Sequence, residues 1–156
     1  MLSDKTVEKI RAMMKVHPDR RSAVMGALWA VQQDGKGYLN RDDLEEISKL
    51  LKISPVDVQA PATFYTMYNA VDLVGKYHIQ ICRNISCSLL GAEKIIAHIE
   101  NILDVKTGGT TADRRFSLKT VECLGSCGTA PMMQINDEYY ENLTFERIDQ
   151  ILKNLL

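Results

Sequence analysis

Four cysteines fall in two close pairs, Cys82-x4-Cys87 and Cys123-x3-Cys127, and the 35 residues between the pairs (88–122) contain none. For four thiols to act together, the fold must bring two distant short segments to one place. The flanking residues indicate how. Tyr77, Ile79 and Ile81 alternate with His78 and Gln80, the period of two of a strand, and Cys82 stands directly at its end. Phe116 to Val121 reads as a second strand, leading to Cys123. If these strands are neighbours in one sheet, their C-terminal ends carry both cysteine loops to the same edge. Gly125 and Gly128 free the backbone to wrap closely there, and Ser86, Ser88, Ser126 and Thr129 supply polar groups.

Whether such thiols pair as disulfides depends on the compartment. Met1-Leu2-Ser3-Asp4-Lys5 lacks the apolar core of a secretory signal. The longest apolar stretches fall well short of the roughly 18–20 residues a spanning helix needs. A cytoplasmic location without membrane insertion is therefore expected. A net charge of −1 without a basic run gives no reason to bind nucleic acid. In a reducing cytoplasm, close thiol pairs point to metal or redox chemistry rather than to disulfides. Four converging thiolates suit an iron–sulfur cluster, with loop N–H groups bonded to the sulfurs to tune its potential. Structural zinc usually takes C-x2-C knuckles, which neither pair has. A thioredoxin-type dithiol needs C-x-x-C, also absent. Rieske ligation would need histidines at ligand spacing, and His17, His78 and His98 are not. Zinc and four inert buried cysteines stay open beside the cluster at this point.

The chain of 156 residues is long enough for one domain or two small ones. Before residue 72 the apolar period is helical. Ser3 or Asp4 can cap a helix bearing Val7, Ile10 and Met14, ended by His17-Pro18. Val24, Ala27, Leu28 and Val31 mark a second helix, stopped by Asp34-Gly35. Asn40 caps a third with Leu44, Ile47 and Leu51 facing inward, and Ser54-Pro55 opens a fourth. Gln32 to Asp43 imitates a calcium loop, but its first, fifth and twelfth positions would be Gln32, Lys36 and Asp43, so a plain helix–helix turn is expected. Phe64, Tyr65 and Tyr68 are expected to form core packing between the two parts of the chain, with a contact surface for a partner subunit as the alternative. Met13, Met14 and Met25 read as core filling, and Trp29 suits core or interface equally. After Gly75 the order is strand, helix (about Leu89 to Leu103), strand, hairpin at Asn136-Asp137, and a last helix capped by Thr144. That order matches the second half of a thioredoxin-like layout. The expected class is α+β: a helical bundle over 1–72, then a thioredoxin-like α/β domain with a mixed sheet over 73–156.

The run from Gly75 to Cys82, the segment Val121-Glu122-Cys123-Leu124-Gly125-Ser126-Cys127-Gly128-Thr129-Ala130-Pro131, and Ala62-Thr63-Phe64-Tyr65-Thr66-Met67-Tyr68 together resemble the thioredoxin-like [2Fe–2S] subunits of respiratory complex I. Ala27 to Gln32, Gly37-Tyr38-Leu39 and Asn136 to Thr144 extend the resemblance over nearly the whole chain. Pro61 and Arg114-Arg115 depart from the family's usual pattern, both outside the cysteine loops. The resemblance implies one [2Fe–2S] cluster on Cys82, Cys87, Cys123 and Cys127, in an electron-transfer subunit of an NADH:quinone oxidoreductase. It implies a partner flavin subunit carrying FMN and binding NADH, a larger iron–sulfur subunit nearby, and a place in the peripheral arm of a membrane-associated complex. Related subunits serve NAD-linked hydrogenases and formate dehydrogenases, and a stand-alone ferredoxin of this kind is the contrasting expectation. No catalytic residue is expected in this chain, and the absence of G-x-G-x-x-G speaks against NADH binding by it.

Overall fold

The structure, a computed structural model, describes residues 2–35, 37–70 and 74–155. It divides into two compact units, Met1–Leu73 and Val74–Leu156. The boundary expected between residues 72 and 73 lies outside the described residues, as does Lys36.

The first unit is built from helices α1 (Asp4–Val16), α2 (Val24–Asp34), α3 (Arg41–Leu51) and α4 (Pro55–Phe64), with a short 3-10 turn at Arg20–Ala23. The caps are those expected: Ser3 on α1, Ser54 with Pro55 on α4, and a reciprocal capping box on α3. In that box the Asn40 side chain accepts from the Asp43 N–H and the Asp43 carboxylate from the Asn40 N–H, both at 2.9 Å. Helix α2 buries Val24, Ala27, Leu28, Ala30 and Val31, and Ile10, Ile47, Leu51, Val58 and Tyr68 complete the core with them. The segment that imitates a calcium loop is a helix–helix turn. Gln32 is buried, and its amide spans two backbone groups, donating to the Met67 carbonyl (3.0 Å) and accepting from the Asn69 N–H (2.7 Å). The Asp34 carboxylate accepts hydroxyls from Ser3 and Thr6.

Two expectations for this unit need correction. Of the three aromatic residues, only Tyr68 packs in the core, its hydroxyl donating to the Met25 carbonyl at 2.8 Å. Phe64, the last residue of α4, is 77% exposed, and Tyr65, its extended C-cap, is also exposed. Met25 is likewise exposed, one turn from the partly exposed Trp29 on the outer side of α2.

The second unit is a four-stranded mixed sheet of order β2-β1-β3-β4, formed by β1 (Tyr77–Cys82), β2 (Phe116–Val121), β3 (Met133–Ile135) and β4 (Glu138–Tyr140). Strands β1 and β2 are parallel, from Tyr77↔Phe116 to Cys82↔Val121. Parallel neighbours need a crossover, supplied here by α5 (Ile85–Leu89) and α6 (Ala92–Leu103). Strand β3 runs antiparallel to β1 and turns into β4 at Asn136-Asp137. Asn136 takes a left-handed φ of 54°, and its side chain accepts from the His78 N–H and donates to the Lys76 carbonyl, tying the hairpin to β1. Ile79, Ile81, Phe116, Leu118, Met133 and Ile135 pack with Ile95, Ile96 and Ile99 of α6 and with Ile148 and Leu152 of α7 (Phe145–Leu155).

The helix expected to begin near Leu89 begins at Ala92. Gly91 interrupts it at φ +95°, a conformation that side-chain-bearing residues rarely adopt. The residues before it form α5, a separate short helix. At the far end of α6 the Glu100 carboxylate accepts from Lys106 Nζ (2.9 Å) and from the Thr107 N–H (2.8 Å), which hold its pKa down at about 2.

Three outcomes are expected in chemical and thermal unfolding. Asn40→Ala should cost about 1 kcal/mol by removing the cap of α3, and Ile79→Ala about 2–5 kcal/mol by opening a cavity under the sheet. The depressed Glu100 pKa stabilises the folded state fully above the ordinary value of 4.5, and this contribution is lost as pH falls through about 2. Glu100→Gln should therefore lower the melting temperature at neutral pH and flatten its decline over that acid range. An unaltered acid limb would show that the Lys106 and Thr107 contacts contribute nothing.

Candidate metal centre

The parallel pairing of β1 and β2 sets the geometry of the cysteines. Cys82 is the last residue of β1, opposite Val121, and Cys123 follows two residues beyond that partner. Backbone bonds on both sides fix the strand end: Cys82 N–H donates to the Met132 carbonyl (3.3 Å) and Arg83 N–H to the Val121 carbonyl (2.9 Å). The Cys82 thiol points toward the other segment, 3.8 Å from the Glu122 carbonyl oxygen that accepts from it.

Cys87 lies on α5, a correction to the expectation that it lies in a loop. The local reason is Asn84, whose side chain accepts from the Ile85 N–H and starts a helical turn two residues after the strand. Ser88 Oγ donates to the Arg83 carbonyl at 2.8 Å, stapling that turn to the strand end. Cys82 and Cys87 are buried with Ala92 and Met132, while Leu124 and Ala130 pack alongside. The Ala130–Pro131 peptide, just before Met132, is cis.

Cys123 and Cys127 are exposed, and all four cysteines are free thiols. Gly125, at φ +78°, turns its N–H onto Cys123 Sγ at 3.3 Å, a backbone donor to sulfur of the kind expected. Ser126 and Thr129 do not face the sulfurs, although their polar character suggests that they would. Both hydroxyls donate to the Glu141 carboxylate, Thr129 Oγ1 at 2.6 Å.

The Cys87 thiol links the two segments electrostatically. Its burial pushes its pKa up to about 11, with further upward contributions from the Cys82 thiol and from Cys127. Cys82, Cys87 and Cys127 therefore share one neighbourhood although they come from segments 35 residues or more apart in the chain. Among the described residues, no three side chains of His, Cys, Asp and Glu gather as a site for a single ion. The donor set itself, four free thiols in a buried and an exposed pair with a backbone N–H on one sulfur, fits a [2Fe–2S] cluster bound by four cysteines. A cleft of about 560 Å³ opens at the start of α6 and α7, lined by Leu89, Leu90, Lys94, Leu143, Phe145 and neighbours. Its lining includes none of the four cysteines.

Sheet, crossover and thiol-bearing edge together define a thioredoxin-like protein with a cysteine centre. The chain belongs to the thioredoxin-like [2Fe–2S] ferredoxin family, whose pattern it matches over residues 10–156. One relative, a subunit of the NADH-quinone oxidoreductase of Rhizobium meliloti (strain 1021), is 43% identical over 147 residues, which are 94% of this chain and 86% of the relative. A subunit of the NADH-quinone oxidoreductase of Thermus thermophilus is 42% identical over 137 residues, 87% of this chain and 75% of the relative. The fold matches part of an NAD+-reducing [NiFe]-hydrogenase crystallised in its H2-reduced state, with a TM-score of 0.76 and 23% identity. That match covers 85% of this chain but 22% of the hydrogenase chain, and at that identity it speaks for the fold alone.

Family membership carries with it one [2Fe–2S] cluster. Among the described residues no helix is long and apolar enough to cross a membrane. Sequence reasoning missed Asn84 and Glu141. Asn84 could have been found, since Asn before Ile-Ser-Cys is a helix-cap signal. Nothing near Glu141 in the chain marks it as a partner of Ser126.

The exposure difference predicts the order of alkylation in metal-free protein. With iodoacetamide at about pH 8, Cys123 and Cys127 should label first and Cys87 last, because it is buried and its thiolate is scarce. Peptide mapping by mass spectrometry reads the order, and early labelling of Cys87 would contradict the buried pair.

Proposed function

We propose that Cys82, Cys87, Cys123 and Cys127 hold one [2Fe–2S] cluster, and that the chain is an electron-transfer subunit of an NADH:quinone oxidoreductase. The observation that carries this reading is the adjacency of the C-terminal ends of parallel strands β1 and β2, each followed within a few residues by a cysteine pair. When bound, such a cluster takes up and returns one electron at a time, which suits it to a flavin that receives two from a hydride donor. The chain's own part is to keep two thiols dry and two near the surface, on a frame that need not move. The identities of 42–43% to subunits of NADH-quinone oxidoreductases support this assignment over that of a free ferredoxin.

The partner in this reading is a flavin subunit that binds NADH and FMN and exchanges single electrons with the cluster held here. A larger iron–sulfur subunit lies nearby, and the assembly places this chain in the cytoplasm, in the peripheral arm of a membrane-associated complex. Residues 1–72 act as a separate helical domain and 73–156 as the cluster domain. The corresponding subunit of an NAD-linked hydrogenase or formate dehydrogenase would use the same four thiols in the same way.

Iron and sulfide analysis, with an EPR spectrum of the dithionite-reduced protein, tests the cluster. Two irons and two sulfides per chain are expected. Cys82→Ser, Cys87→Ser, Cys123→Ser and Cys127→Ser should each weaken or abolish it, and any variant that keeps full iron and visible absorption removes that residue from the ligand set. Affinity purification from the native source tests the assembly. Co-purification of an NADH-oxidising flavoprotein is expected, and recovery of this chain alone would favour the free ferredoxin.

A further inference from the structure

The loop that carries Cys123 and Cys127 is held from outside by one short stretch made of the end of β4 and the residues after it. Tyr139 Oη donates to the Leu124 carbonyl at 2.7 Å. The Glu141 carboxylate accepts from Ser126 Oγ and from Thr129 Oγ1, and these two hydroxyls also lie 2.7 Å apart. Asn142 N–H donates to the Thr129 carbonyl (2.8 Å) and Leu143 N–H to the Pro131 carbonyl (2.9 Å). Tyr139, Glu141, Asn142 and Leu143 thus tie residues 124–131 at four positions. The buried pair is held differently, by strand pairing, by the Cys82 N–H bond to the Met132 carbonyl and by the Asn84 cap of α5.

Among these ties, Glu141 alone brings a formal charge. Ser126 immediately precedes Cys127 and Thr129 follows two residues later, so the carboxylate is bonded to both flanks of an exposed thiol. The Ser126 hydroxyl first, then that of Thr129, hold the Glu141 carboxyl below the usual carboxylate range, so it is anionic at neutral pH. Arg83 and Glu122 form an exposed ion pair at 3.6 Å, and Arg147 is the cation whose field reaches Glu141 and offsets part of its charge. A fixed anion beside a redox centre disfavours an added electron by Coulomb repulsion, and hydrogen bonds and net charge around the sulfurs are what set cluster potentials.

We propose that Glu141 is a positioning residue for the Cys123–Cys127 half of the centre and that its charge lowers the reduction potential of the bound cluster. This rests on the four-cysteine reading above. Glu141→Gln keeps an acceptor oxygen for the two hydroxyls and removes the charge. Glu141→Asp keeps the charge and shortens the reach, and Glu141→Ala removes both.

Redox titration of the purified, cluster-loaded protein, followed by EPR, is the test, with iron content and the rate of cluster loss to a chelator measured in parallel. Glu141→Gln should keep its iron and shift the oxidised-to-reduced ratio at fixed ambient potential about tenfold toward reduced, a rise of about 59 mV for one electron. Glu141→Ala should in addition release iron to the chelator roughly tenfold faster. Glu141→Asp should stay near the wild-type potential, even if Glu141→Gln loads poorly. A loaded Glu141→Gln with unchanged potential overturns the proposal, as does an equal shift in Glu141→Asp, which would assign the effect to loop geometry. Wild-type protein without a cluster would instead overturn the four-cysteine reading, before any variant is compared.

Discussion

The pairing of Cys82 with Val121 is the contact on which the centre depends. Two parallel strands in register end at the same level, so whatever follows each is delivered to one edge of the sheet. Antiparallel pairing of the same strands would send the second cysteine pair to the opposite edge, a strand's length away. The crossover through α5 and α6 is what makes parallel pairing possible, and α6 contributes Ile95, Ile96 and Ile99 to the core that seals the sheet. Burying such side chains contributes about 1.5–3 kcal/mol each. The placement of the thiols is thus a by-product of ordinary hydrophobic packing, with no strain required at the cysteines themselves.

Within that edge the two pairs do different work. Cys82 and Cys87 sit in an apolar pocket with Met132 and Ala92, and burial pushes the pKa of the Cys87 thiol up to about 11. A thiol of that kind becomes a ligand only as a metal displaces its proton, so occupation of the pocket is coupled to proton release. Cys123 and Cys127 are exposed, and the Cys123 sulfur already receives the Gly125 N–H. In the four-cysteine reading proposed above, burial secures half of the set and access is left to the other half. That division suits a centre that must be shielded from solvent yet remain within electron-transfer reach of a neighbour.

Much of this is legible in the chain. Alternation in Tyr77–Ile81, the Asn136-Asp137 turn and the caps at Ser3, Asn40 and Ser54 are local signals, and the structure reproduces each because backbone preference and burial agree there. The cysteine spacing points to the sheet edge, since a strand followed at once by a cysteine leaves few other destinations. What escapes reading depends on tertiary context. Gly91 could sit inside a helix as well as break one, and only the φ of +95° decides. Phe64 is expected in the core because aromatic residues usually are, but its outcome depends on where α4 ends. Ser126 and Thr129 look like groups for the sulfurs, and a carboxylate 12 to 15 residues away claims them instead.

That carboxylate reaches the loop because of register. The Asn136-Asp137 turn aligns Ile135 with Glu138 and Gln134 with Tyr139, so Met133 and Ile135 enter the core while Tyr139 faces outward. Side chains two apart on an extended chain share a face, which sends Glu141 to the same side as Tyr139 just where the strand ends. Sliding the hairpin by one residue would exchange the faces, turning Tyr139 inward and taking Glu141 away from Ser126. The two-residue turn therefore does more than close the sheet. By fixing that register it also fixes which side chains can reach the loop bearing Cys123 and Cys127, and so ties the environment of the exposed thiols to the same alternation that builds the core.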